Sequence, residues 1–252
     1  MNHVEKRQRL GLLVPSSNST QEPEFAQMLP PSVSLHVARL SLERIDPEST
    51  LNLVAELEKE SRKLADAAVD VVALAATAPS TRMGKGYDAQ LVKRMEDASG
   101  KPATTAASAM LDAFAAYNVR RVALAAPWSE TTNKWVADFL EAHGIKVVSQ
   151  VAMGVVANNE VGRLHPQTAF DHGRKADRAE ADAVFLACGN WWSASIVEDL
   201  ERATGKPVLT TNNVTLWHAL GKMGGHKSVP GFGRLLREMP AIPGALPKGK
   251  AA

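Results

Sequence analysis

The chain of 252 residues holds a single cysteine, Cys188, in the run Ala187-Cys188-Gly189-Asn190-Trp191-Trp192-Ser193. An apolar segment ends there and glycine follows, so the sulfur is expected at a strand end before a helix N-terminus. Amide dipoles in that place favour thiolate, which suits a nucleophile or a proton carrier. The same residue reads as an inert buried side chain if nothing reactive surrounds it. Three further loops follow apolar runs: Pro15-Ser16-Ser17-Asn18-Ser19-Thr20, Thr77-Ala78-Pro79-Ser80-Thr81 and Pro127-Trp128-Ser129-Glu130-Thr131-Thr132-Asn133. They are rich in hydroxyls and amides and poor in formal charge, a composition that holds a carboxylate with neutral donors and helix-terminal amides. The implied ligand is a small anion, although each loop alone is also an ordinary set of helix caps.

Other chemistries lack their residues. One cysteine forbids an intramolecular disulfide and argues against a cysteine-based zinc site, and the seven histidines have neither H-x-H nor H-E-x-x-H spacing. No metal is expected. G-x-S-x-G and the P-loop pattern are absent, and Gly84-Lys85-Gly86 and Gly231-Phe232-Gly233 do not follow strands, so they read as turns. His165, before Pro166, reads as a helix-entry residue. Lys plus Arg number 29 against 27 for Asp plus Glu, a net charge of +2 without a basic stripe, so no nucleic-acid partner is expected. Runs such as Val71-Val72-Ala73-Leu74-Ala75-Ala76 fall far short of the ~20 residues of a bilayer span. The basic start Glu5-Lys6-Arg7-Gln8-Arg9 is followed by an apolar stretch that stops at Pro15, too short for a secretory signal, so a cytoplasmic location is expected.

The elements that position these residues follow from periodicity. Short Val/Leu/Ala runs alternate with amphipathic segments, the pattern of an α/β protein whose parallel sheet is covered on both faces. Strands are expected at Leu10 to Val14, Val33 to Ala38, Val69 to Ala75, Arg121 to Ala125, Lys146 to Val151 and Ala183 to Ala187, with short ones near Ala103 and Val208. A helix from Leu51 to Ala68 is led in by Asp46-Pro47-Glu48. Others are expected at Asp88 to Ala98, Ala107 to Tyr117, Thr131 to Ala142, Pro166 to Glu180, Ser193 to Ala203 and Val214 to Met223, with Gly144 as a helix stop. Gly100-Lys101-Pro102-Ala103-Thr104-Thr105 returns as Gly205-Lys206-Pro207-Val208-Leu209-Thr210, each before a helix. Val72 to Thr77 likewise aligns with Val184 to Gly189, which sets Cys188 against Ala76. Two similar halves with a ligand cleft between them are expected, 1–118 plus 213–252 and 119–212. The tail from Pro240 to Ala252 reads as mobile.

Several of these segments together resemble the aspartate/glutamate racemase superfamily, and within it the arylmalonate decarboxylase and maleate isomerase group. The segments are Val14-Pro15-Ser16-Ser17-Asn18 with Glu22-Pro23-Glu24-Phe25, Ala76-Thr77, Asn158-Asn159-Glu160-Val161-Gly162-Arg163, Cys188-Gly189, and Pro230-Gly231-Phe232-Gly233-Arg234-Leu235. The resemblance spans Leu10 to Leu236. It implies two Rossmann-like halves related by a pseudo-twofold axis and carbanion chemistry beside a carboxylate, with no cofactor or metal. Racemases and isomerases of this kind generally use two cysteines; here Cys188 matches the second and Ala76 stands at the first. Inversion of a carbon centre needs a proton removed from one face and delivered to the other. A methyl group cannot add to a double bond either, whereas decarboxylation needs one acid. The resemblance therefore favours a decarboxylase of a malonate-type diacid with Cys188 as proton donor. The alternatives are a maleate cis-trans isomerase, an amino-acid or hydroxy-acid racemase lacking its first cysteine, and a non-catalytic carboxylate-binding protein. Substrate contacts are expected from Ser17, Asn18, Ala76, Thr77, Ala78, Trp128, Asn133, Asn158, Gly189 and Asn190, with Trp191 and Trp192 as further pocket walls. The chain departs from the decarboxylase pattern in carrying Trp128 for a tyrosine and Ala78 for a serine. The expected partner is a small carboxylate; self-association into a homo-oligomer is left open.

Overall fold

The computed structural model describes residues 7–225 and 228–244. The first half builds a sheet in the order β2-β1-β3-β4, from β1 (Gln8–Pro15), β2 (Val33–Leu40), β3 (Val71–Leu74) and β4 (Ala103–Thr105). The second repeats that order as β6-β5-β7-β8, from β5 (Arg121–Ala126), β6 (Lys146–Ala152), β7 (Ala183–Leu186) and β8 (Val208–Thr210). Every pairing is parallel. Helices on both faces bury β3 and β7 along their whole length, which is why these strands read as unbroken apolar runs. β6, at a sheet edge, is only half-buried.

In the first half the helices are α1 (Gln21–Met28), α2 (Pro47–Ala55), α3 (Leu57–Asp66), α4 (Thr77–Thr81), α5 (Tyr87–Ser99) and α6 (Ala106–Ala116). The rest are α7 (Glu130–Ala142), α8 (Asn158–Val161), α9 (Pro166–Ala176), α10 (Val197–Thr204), α11 (Thr211–Lys222) and α12 (Arg234–Glu238). Asp46 caps α2 by accepting the Ser49 amide at 2.9 Å, with Pro47 in the first turn as the sequence predicts. His165 caps α9, accepting the Gln167 amide at 3.1 Å. Gly144 ends its helix at φ +80°, where a side chain would be strained. The two Gly-Lys-Pro repeats fall at equivalent places, each leading into a strand whose last threonine, Thr105 or Thr210, caps the next helix. α11 returns to pack on α6 and β4.

Several boundaries differ from expectation. The helix read as one piece over Leu51 to Ala68 breaks at Glu56, whose carboxylate leaves the helical surface to bind the backbone amide and hydroxyl of Ser41 at 2.8 and 2.7 Å. α9 stops at Ala176 rather than Glu180 because Asp177 turns extended, where it pairs with Lys206 at 2.7 Å. Thr77 to Thr81, read as a loop, is the short helix α4. Pro240 is anchored, its carbonyl accepting from Trp217 Nε1 at 2.9 Å, while 245–252 lie outside the described residues. No helix among the described residues is long and apolar enough to cross a membrane.

Candidate active site

The carboxyl ends of β1, β3, β5 and β7 open onto a cleft, where an open α/β sheet is expected to bind its ligand. Pro15 ends β1 and Asn18 comes from the loop after it, Ala75 and Ala76 follow β3 and Thr77 to Pro79 open α4, Trp128 comes from the loop after β5, and Cys188 to Asn190 from the turn after β7. Asn158 enters from α8. Leu42, Ile45 and Thr50 complete the wall. Leu42 and Ile45 sit on the connection after β2 and Thr50 on α2; the four-loop reading omitted that connection, although the rule that selected the other strand ends applies to it equally. Backbone bonds from Ile45 N to Val156 O and from Asn158 N to Glu43 O, both 3.0 Å, tie that connection to the second half. Among the described residues lining the cleft, Cys188 is the one ionisable side chain. No group of three or more His, Cys, Asp or Glu among the described residues is placed to hold a metal ion.

Eight of the ten substrate contacts expected from the sequence line the cleft: Asn18, Ala76, Thr77, Ala78, Trp128, Asn158, Gly189 and Asn190. Ser17 and Asn133 do not. Ser17 is turned away, donating to the Leu42 carbonyl and accepting from Asn158 Nδ2 at 2.8 Å, so it orients Asn158. Asn133 lies behind Trp128 and accepts its indole N–H at 3.3 Å. Trp191 and Trp192 are also displaced from the wall. Their indole N–H groups bind Thr168 Oγ1 and the Gly162 carbonyl, each at 2.9 Å, which directs both rings into α8 and α9.

Ala76 and Cys188 occupy equivalent places, each two residues beyond the last residue of its strand, β3 or β7. Cys188 is buried, and its backbone lies at φ +136°, a region that L side chains rarely enter. The helix expected from Ser193 opens at Ala194 as a single 3-10 turn, with Gly189 to Ser193 between it and the sulfur. The favoured thiolate expected there is not found. Burial pushes the thiol up to about 12, against the amides of Asn190 and Trp191, which pull it down. The sulfur is therefore a protonated acid at neutral pH. Since the folded thiol holds its proton more tightly than the unfolded one, its contribution to stability is present below about pH 9 and is lost as pH rises toward 12. The backbone carries a separate prediction. Cys188→Gly and Cys188→Ala both remove the sulfur, but only glycine tolerates the positive φ. Thermal unfolding should show the glycine variant more stable by about 1 kcal/mol, against the usual order of these residues. Equal stabilities would mean that the turn carries no strain.

Polar residues that sequence reasoning missed lie behind the cleft. Thr211 Oγ1 accepts the Cys188 amide at 3.0 Å and lies 2.7 Å from Thr77 Oγ1. Gln21 Nε2 donates to the Ala75 carbonyl at 2.6 Å, and Asn212 Nδ2 donates to the Gly189 carbonyl at 3.0 Å. The two amides meet each other, Gln21 Nε2 to Asn212 Oδ1, at 3.1 Å. Glu24 is buried and accepts from Asn212 Nδ2 at 2.7 Å and from the amides of Ser193 and Ala194 at 2.6 and 2.8 Å. Burial pushes its carboxyl above the usual range, while those three donors pull it back. The signal available in the sequence was the second Gly-Lys-Pro copy, since Thr211 and Asn212 follow directly on it.

Comparison with known proteins places this geometry in a family. The family described as "Arylmalonate decarboxylase" matches residues 10–236. The maleate isomerase of Alcaligenes faecalis is 28% identical over 92% of this chain and 97% of its own length. The arylmalonate decarboxylase of Bordetella bronchiseptica is also 28% identical, over 91% of this chain and 96% of its own. Among solved structures, a cysteine-to-serine mutant of the Nocardia farcinica maleate cis-trans isomerase, with a covalently bound succinylcysteine intermediate, superposes with a TM-score of 0.87 at 29% identity. That match covers 92% of this chain and 98% of the other.

Proposed function

The chain belongs to the arylmalonate decarboxylase family, and on that premise we propose that it is a cofactor-independent decarboxylase of a malonate-type dicarboxylic acid. Its relatives are enzymes named for two reactions, decarboxylation and cis-trans isomerisation. The observation that carries the choice is the pair of equivalent positions at the cleft, where a thiol at 188 has only the methyl group of Ala76 as its counterpart. In the Nocardia isomerase the adduct forms on a cysteine other than the one replaced, so that enzyme has at least two. This chain has one, and it is protonated.

Loss of CO2 breaks a carbon–carbon bond and leaves its electron pair in an enediolate, with no external base required. Cys188 then gives its proton to the carbon, and water restores the thiol. A thiol of such low acidity suffices because the enediolate carbon is much more basic. An apolar wall of Leu42, Ile45 and Trp128 suits the carboxylate that departs, since poor solvation favours its loss. The remaining carboxylate is held by neutral donors. When Thr211 gives its hydroxyl proton to Thr77 Oγ1, the Thr77 proton is left for a ligand oxygen.

Proton NMR in D2O with phenylmalonate and methylmalonate tests the proposal. The expected product is the monoacid bearing one deuterium at the α-carbon. Deuterium exchange with scrambling of a chiral acid would establish a racemase, conversion of maleate to fumarate an isomerase, and binding without turnover a carboxylate receptor. Thr77→Val should lower kcat about 100-fold, a loss of about 3 kcal/mol of transition-state stabilisation, while Thr77→Ser stays close to the parent. Steady-state kinetics in which the valine variant keeps its kcat would remove Thr77 from the reaction.

A further inference from the structure

We propose that Asn212 is a positioning residue for Cys188, fixing the turn that keeps the sulfur buried at the wall of the cleft, and that Glu24 and Gln21 hold it in place. The side-chain amide of Asn212 grips the carbonyl of the residue next to Cys188, at 3.0 Å. Glu24 orients that amide from one side at 2.7 Å and Gln21 from the other at 3.1 Å. Glu24 also holds the amides of Ser193 and Ala194 at the far end of the turn, so both ends converge on one buried carboxylate. The fit is close. A Cβ at Gly189 would run into Gln21 Nε2 and come within 3.0 Å of Asn212 Oδ1. Asn212, Gln21 and Glu24 are themselves buried, and none of them lines the cleft. They act on the sulfur through the backbone of the turn, whose unfavourable φ at Cys188 would otherwise relax.

The inference concerns the thiol and is independent of which reaction it serves, so it can be tested without a substrate. Because Cys188 is the sole cysteine, iodoacetamide uptake followed by mass spectrometry reads this sulfur alone. Asn212→Asp keeps the size of the side chain but sets a carboxylate oxygen against the Gly189 carbonyl and Glu24. At pH 8 it should be alkylated about tenfold faster than the parent or more, with the midpoint of the rate–pH profile lower by about one unit as water reaches the sulfur. Gly189→Ala opens the same turn from the other side and should act in the same direction, which covers the case in which the aspartate variant does not fold. Trp217→Phe, which removes the hydrogen bond to Pro240, serves as a destabilised control and should match the parent. Parent-like alkylation in the folded turn variants, or equal acceleration in the control, would overturn the proposal.

Discussion

Cys188→Ser should lower the proposed turnover of a malonate-type diacid about a thousandfold and leave its binding nearly unchanged. The size follows from the worth of a positioned general acid, which is on the order of 10² to 10⁴ in rate. Serine keeps the shape of the side chain, but its hydroxyl is a weaker acid than even a thiol held at about 12. Affinity should persist because the groups proposed to meet the carboxylates, Thr77, Asn158 and the backbone amides, belong to other residues that line the cleft. Steady-state kinetics gives the first quantity and isothermal titration of the diacid gives the second. Turnover that survives the exchange would remove the sulfur from the mechanism.

Ala76→Cys should add an activity that the parent lacks. A thiol at the end of β3 would stand where the second sheet carries Cys188, giving the planar intermediate a proton donor or acceptor from each half. The parent should yield an α-substituted monoacid of one hand and leave it untouched. In the variant the product should racemise over time, observed as loss of optical rotation with uptake of deuterium at the α-carbon. The substituted position is buried and bordered by small side chains, Ala75 and Ala78, so one sulfur atom is a modest increase in volume. A variant that folds, binds ligand and still releases a single enantiomer would show that access to one face is not what sets the proposed decarboxylation apart from racemisation.

The fold was legible because its strands are buried on both sides and spell out continuous Val/Leu/Ala runs, and because the Gly-Lys-Pro repeat marks equivalent positions in the two sheets. Residues just beyond the strand ends were legible for the same reason: once Leu74 and Leu186 end their strands, Ala76 and Cys188 must meet the cleft. Hydrogen-bond direction was not legible. Ser17 and Asn133 have the composition of ligand donors, yet one orients Asn158 and the other Trp128. Trp191 and Trp192 adjoin the sulfur in sequence, but tight turning after β7 sends both rings away. The charge state of the sulfur was misjudged because local sequence displays the amides that attract a negative charge and hides the burial that repels it. Asn212 and Gln21 lie 191 positions apart, and only the closed fold makes them neighbours.

Peroxide and disulfide-forming oxidants react with the anionic form of sulfur, and the shielded Cys188 offers almost none of it. On the chemistry proposed for Cys188, activity should therefore survive an oxidative burst that silences enzymes built on reactive, exposed sulfhydryls.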